Sequence, residues 1–250
     1  MRRLFIIAAV TVFLLPLSLT AHAASNFCDL QESFQALKDL GVNPPGDYFE
    51  SVRAELNLRK TMLGKTLDCA TEEAESLKEE IRNLPESDPD VAELKSFFLG
   101  RLADVFAYYD QQKSKIGDLV SLQNTKNTAQ DILLWRQSTW EPLVADSQNI
   151  ILWNKNQTLF RTAENRFNQI SQTVRLLKLL EQEDVRRYFD DSEKNLRQAQ
   201  NLHLGAKRMI KYYRPAGEVT ETIKNSLDTL AKTYQKFFGL SQEVKKFLPL

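Results

Sequence analysis

Apolar residues recur in steps of three and four along almost the whole chain beyond its first two dozen positions. From Asp47 to Leu84 they fall at Phe49, Val52, Leu56, Leu63, Leu67, Ala70, Ala74, Leu77, Ile81 and Leu84, which predicts one long amphipathic helix. Asp47 is its N-cap candidate, Glu50 completes a capping box, and Pro85 marks its end. A shorter helix, from about Asn26 to Leu40, precedes it with Phe27, Leu30, Phe34 and Leu37 on one face and Gly41 as the residue that closes it. The next opens at Asp88-Pro89, an N-cap followed by proline at the first helical position. It carries Val91, Leu94, Phe98, Leu102, Val105, Tyr109, Ile116 and Leu119 and ends near Leu122.

The stretch from Gln123 to Thr128 has no apolar residue and reads as a linker or corner. It divides the chain into helical subdomains over 24–125 and 126–250. Beyond it, Ala129 to Trp153 is helical but contains Pro142, which is expected to kink or break it, and Asn154 to Gln157 reads as a turn. Phe160, Ala163, Phe167, Ile170, Val174 and Leu177 form one seam, and Val185, Phe189, Leu196, Ala199, Ala206, Ile210 and Tyr213 form another. The last long helix carries Val219, Ile223, Leu227, Leu230, Tyr234 and Phe237, is closed by Gly239, and is followed by a short helix capped by Ser241. No alternation of β-branched residues competes with these helices. The expected fold is all-α, an elongated antiparallel bundle of about seven or eight helices in two helical subdomains.

The first 23 residues break the pattern. Arg2 and Arg3 precede an apolar run from Leu4 to Leu19, and Ala21-His22-Ala23 follows, the arrangement of an export signal cleaved before Ala24. A run of about 16 residues falls short of the ~20 that span a bilayer, so a membrane attachment arises only if this segment stays uncleaved. The expected location is periplasmic or extracellular. In an oxidising compartment the two cysteines, Cys28 and Cys69, read as a disulfide rather than a metal site or a catalytic thiol.

Composition changes the picture mainly by exclusion. The 250 residues are 42% hydrophobic and 26% charged with only 8 Gly and 8 Pro, which excludes a disordered chain and a Gly-rich all-β protein. Lys and Arg number 33 against 33 Asp and Glu, so no net field gathers nucleic acid, and no nucleic-acid partner is expected. Loss of the leader takes Arg2 and Arg3 and leaves a formal charge of −2. Only two histidines exist, His22 in the leader and His203 on an apolar stripe, where a packed, hydrogen-bonded residue is the expected reading. Paired Glu-x-x-His motifs, a nucleophile elbow and phosphate-binding glycine loops are all missing from the sequence, so no metal and no cofactor is expected. Carboxylate chemistry is the one enzymatic route that the composition leaves open, without a pair being singled out.

Two features stand above this background. The stretch from Asp131 to Arg166 holds all three tryptophans, Trp135, Trp140 and Trp153, with Arg136, Arg161 and Arg166 as polar anchors, a composition that suits stacking on a peptide, glycan or lipid. Rings filling the Pro142 kink are the plainer explanation. Asn156-Gln157-Thr158 within it matches a glycosylation acceptor. The second feature is charge segregation. Residues 68–93 hold ten acids and two bases, whereas Lys207, Arg208, Lys211 and Arg214 cluster without an acid among them. These faces are either solvated or meet each other, inside one bundle or between chains. Taken together the sequence favours a non-catalytic protein acting on a protein partner or by self-association, or a structural component of the cell envelope. A binding module at 131–166 is the alternative and a carboxylate-dependent hydrolase ranks below it. Intact-mass spectrometry after expression in an exporting host should find a chain that begins at Ala24; retention of Met1 to Ala23 would contradict the leader reading.

Overall fold

The computed structural model describes residues 30–42 and 46–247, so the leader, Cys28 and the last three residues lie outside the described residues. Seven α-helices follow in order: α1 (Gln31–Val42), α2 (Tyr48–Arg82), α3 (Pro89–Lys115), α4 (Leu122–Trp135), α5 (Glu141–Leu176), α6 (Glu183–Lys211) and α7 (Ala216–Lys245). Short 3-10 turns occupy Ile116–Asp118 and Leu179–Glu181, and one π turn spans Arg136–Trp140. The fold is an all-α helical bundle. Among the described residues no helix is long and apolar enough to cross a membrane.

Side-chain caps set the starts of α2, α3 and α4, whereas α5, α6 and α7 begin without one. Asp47 Oδ1 accepts the backbone N–H of Glu50 at 3.0 Å, and Asp88 Oδ1 accepts that of Asp90 at 3.0 Å, each satisfying one of the orphan donors at a helix N-terminus. Ser121 Oγ does the same for Asn124 at 3.1 Å. That cap is why the 123–128 linker reading fails: these residues form the first turns of α4. The segment contains no Gly or Pro, a Gln123–Asn127 amide pair bridges one turn at 2.8 Å, and Thr125 is buried.

Pro142, expected to kink or break its helix, does not break it. Neither a break nor a turn follows it, because α4, the π turn and α5 succeed one another from Leu122 to Leu176, straight through Asn154 to Gln157. The Glu141 N–H donates to the Arg136 carbonyl, five residues back. This widened turn sits directly before Pro142, the residue that has no N–H to give and needs room for its ring. Gly239, expected to close the last helix, lies inside α7. A Cβ there would stand 2.5 Å from the Tyr188 ring, so glycine permits the close approach of α6. Gly41 likewise lies within α1, and Phe34 and Phe49, assigned to apolar faces, are exposed.

The chain divides into two compact units. The first comprises the described residues up to Glu72 with Gln111–Asn127. Lys60 Nζ donates to the carbonyls of Gly117 (2.8 Å) and Leu119 (3.1 Å), which fastens the 3-10 turn to α2. Lys113 bridges to Asp68 and Thr71, both at 3.0 Å, and Leu63, Leu67 and Ala70 are buried. Cys69 lies half-buried on α2; its expected partner, Cys28, is outside the described residues.

The second unit comprises Glu73–Asp110 and the chain from Thr128 onward. Here the expected seams form the core. Ile81, Val91, Phe98, Leu102, Val105 and Tyr109 of α2 and α3 are at most 1% exposed. Further along, α5, α6 and α7, with the 3-10 turn at Leu179–Glu181, share two apolar clusters, one of Phe160, Ala163, Leu196, Ala199 and Leu230, the other of Val174, Leu179, Val185, Phe189 and Leu240. Burying each valine, leucine and phenylalanine among them contributes roughly 1.5–3 kcal/mol.

Lys178, which follows the end of α5, is exposed and holds φ +55, a left-handed conformation that costs a non-glycine residue about 1 kcal/mol. Lys178→Gly should therefore raise stability by up to about 1 kcal/mol, read as an increase in the urea midpoint at unchanged m-value.

Candidate interaction site

The tryptophan stretch does not form one pocket. Trp140 and Trp153 are 1% and 2% exposed and belong to the core, while Trp135 is half-buried. Trp135 stacks on Tyr108 (3.8 Å, 10°) and meets Tyr109 edge-on at 5.5 Å. Trp153 stacks on His203 and donates its indole N–H to the His203 carbonyl at 2.9 Å. Eighteen residues of continuous helix separate Trp135 from Trp153, roughly 27 Å of rise, so a small ligand could not touch both.

The arginines are dispersed as well. Arg136 is engaged internally: it donates to the Tyr109 hydroxyl at 3.1 Å and to the Glu73 carboxylate at 2.8 Å, and lies 5.9 Å from the Trp140 ring. Burial pushes the Tyr109 phenol up to about 12, so this hydroxyl stays protonated and accepts from the guanidinium. Arg161 and Arg166 are exposed on α5, and Arg166 covers Tyr234 of α7 at 5.5 Å. Asn156 is only 7% exposed on a helix, which removes it as a glycosylation acceptor, a role that needs an accessible asparagine.

The two segregated charge faces meet within one chain. Lys207 Nζ lies 2.7 Å from Asp88 and 2.9 Å from Asp90, and Lys211 Nζ lies 2.5 Å from Asp90 and 3.7 Å from Glu93. The acids occupy the first turns of α3 and the lysines the last turns of α6, so each charge also suits the dipole of its own helix. Hydrogen bonds from Lys211 and then Lys207 hold the Asp90 carboxyl down to about 2. Of the four basic residues in the cluster, Lys207 and Lys211 are thus consumed by packing, and Arg208 and Arg214 remain exposed.

Beside those arginines stands a group of rings to which the sequence did not point. At the end of α6 the Tyr213 N–H donates to the Ile210 carbonyl (3.1 Å) and the Arg214 N–H to that of Met209 (3.0 Å), the paired bonds of a Schellman closure. Its left-handed position, φ +50, is held by Tyr213 where glycine is the usual residue. Tyr212 is 71% and Tyr213 57% exposed, and the Tyr213 ring lies 4.9 Å from that of Phe97 on α3, itself 39% exposed. Tyr213 reads from sequence as the next step of the α6 seam; only the backbone reversal, completed by Pro215, turns it outward.

Among the described residues, no three His, Cys, Asp or Glu side chains gather where a metal ion could be held. One open surface groove, of about 660 Å³, is lined from Asp190 to Leu202 by α6 alone. No family model matches the chain, and neither a curated protein nor a solved structure matches it.

Two outcomes follow from this geometry. Arg136→Leu leaves the fully buried Tyr109 hydroxyl without its partner and should cost about 1–3 kcal/mol, and adding Tyr109→Phe to that variant should restore part of the loss in urea unfolding. Asp90 has a folded-state pKa below its ordinary 3.8, so its contribution is complete above that pH and is lost as pH falls toward about 2. Between pH 5 and pH 2.5 the unfolding midpoint of Asp90→Asn should accordingly fall less than that of the wild type.

Proposed function

We propose that this is an exported helical protein that holds a macromolecular partner, or builds the cell envelope, rather than catalysing a reaction, and that the corner at the end of α6 is its contact surface. Tyr213 carries the reading. A left-handed backbone position costs a bulky residue roughly 1 kcal/mol that glycine would not incur, and such strain concentrates where function needs it. The ring obtained at that cost is more than half exposed, beside Tyr212, Phe97, Arg208 and Arg214. Tyrosine and arginine are the residue types that dominate binding energy at protein interfaces, which supports a protein partner or a second copy of this chain.

Export rests on the leader pattern of residues 1–23 and places the protein in the periplasm or outside the cell. In that oxidising setting Cys28 and Cys69 pair. There is no free cysteine among the described residues, which is in keeping with that bond. Closing a loop of about 42 residues would contribute roughly 4 kcal/mol by restricting the unfolded chain.

The test separates binding from folding. Tyr213→Gly should leave the fold at least as stable, since relief of backbone strain offsets the loss of the Phe97 contact, while Tyr212→Ala removes a mainly exposed ring. Cross-linking of the exported protein in its native envelope, together with sedimentation of the purified chain, should show a complex or dimer for the wild type that weakens at least tenfold in the double variant. Equal recovery from both chains would remove the corner as the contact, and a monomer that captures nothing but turns over a glycan or peptide would replace this reading with an enzymatic one.

A further inference from the structure

The seam of α6 contains one residue that an apolar side chain could replace with advantage. On α5, Trp153 and Phe160 stand two turns apart, about 10 Å of rise, and the His203 imidazole fills the space between them. It lies 4.9 Å from the indole at 13° and 4.2 Å from the phenyl ring at 23°. Asn156 shares this face of α5, three residues after one ring and four before the other. Both polar side chains are more than nine-tenths buried, and His203 Nδ1 and Asn156 Nδ2 lack a hydrogen-bond partner. Contrary to the sequence reading, the histidine is packed without being satisfied at this nitrogen. A buried polar atom left unpaired carries a desolvation penalty, which phenylalanine in the same slot would avoid.

The charges around the slot do nothing to hold a proton there. On α6 itself Lys207 lies one turn on, its Nζ 5.7 Å from the Trp153 ring, and it is tied to Asp88 and Asp90 of α3. On α5 Lys155 is turned to Glu80 of α2 at 3.5 Å, and on α7 Glu221, Lys224 and Asp228 are exposed. Burial alone depresses the His203 pKa, from its ordinary 6.5 to about 4. Protonation would set a second cation one turn from Lys207 between two apolar rings.

We propose that His203 is an acid-operated latch on α6: a proton taken up from solvent at Nδ1 expels the imidazole from between Trp153 and Phe160 and frees the C-terminal half of α6, with its aromatic corner, from α5. The latch stands on this slot and not on the identity of any partner. Because the folded-state pKa lies below the unfolded value, the stabilisation is complete above pH 6.5 and is lost as pH falls toward about 4. This window is separate from that of Asp90, which opens only below pH 3.8.

The experiment uses the exported chain that begins at Ala24, in which His203 is the single histidine. NMR titration should find the His203 ring protonating well below pH 6.5. Amide exchange around Trp153 and His203, corrected for its intrinsic pH dependence, should show the opening constant rising about 30-fold between pH 7.5 and pH 5. Helix content by circular dichroism should hold over that range, and Trp153 emission should change with the opening. In His203→Phe the rise should vanish. A ring that titrates near 6.5, or the same rise in the phenylalanine variant, overturns the latch. Should that variant fail to fold, the wild-type ring titration and exchange profile decide the matter between them.

Discussion

The register of α6 is the constraint on which the second unit depends. Three successive levels set it: the His203 ring lodged between Trp153 and Phe160, Lys207 bound to Asp88 and Asp90, and Lys211 bound to Asp90. A slide by one helical turn, about 5.4 Å, would drive the imidazole into an aromatic ring and take one of the two lysines away from its carboxylate. Apolar seams alone specify this less sharply, because leucines and alanines at heptad-like spacing pack nearly as well one turn away. Polar groups placed against specific partners lessen the ambiguity.

Backbone irregularities lie where helical continuity and side-chain demands conflict. The π turn at Arg136–Trp140 lets a helix run through Pro142 and also places Arg136 over Trp140 while its guanidinium reaches Tyr109 and Glu73. At the end of α6 a tyrosine takes the position that glycine would fill more cheaply. Gly239 shows the opposite economy: a residue usually unfavourable inside a helix is kept because Tyr188 needs the space.

These features gather on one helix the properties on which the proposed function rests. Along its seam α6 carries the buried imidazole, along its last turns the lysines that bind α3, and at its end the exposed rings of Tyr212 and Tyr213 with Arg208 and Arg214 alongside. A partner held at that corner would be coupled to the packing of the whole helix. Protonation of His203 would then bear on binding without any titrating group at the contact itself.

The all-α fold, the positions of most seams and the caps at Asp47 and Asp88 were legible in the sequence because each is local: apolar spacing of three and four, a short acceptor side chain, or proline at the first helical position suffices. Composition was equally direct about missing motifs. Errors arose where a local signal was overruled by something distant. Polar runs at 123–128 and 154–157 stayed helical because a Ser121 cap and burial of Thr125 and Asn156 outweigh small propensity costs. Pro142 did not break its helix because the preceding turn widened, and Gly239 did not end one because a ring from α6 lies over it. For the candidate site the sequence contributed residue types and little geometry. It assembled three tryptophans that the helical rise keeps apart, and left open whether the segregated charges meet within one chain or between chains. Only the tertiary structure decided that Lys207 and Lys211 are spent on Asp88 and Asp90 while Tyr213 is turned outward, since which face of a helix end meets solvent depends on elements more than a hundred residues away in sequence.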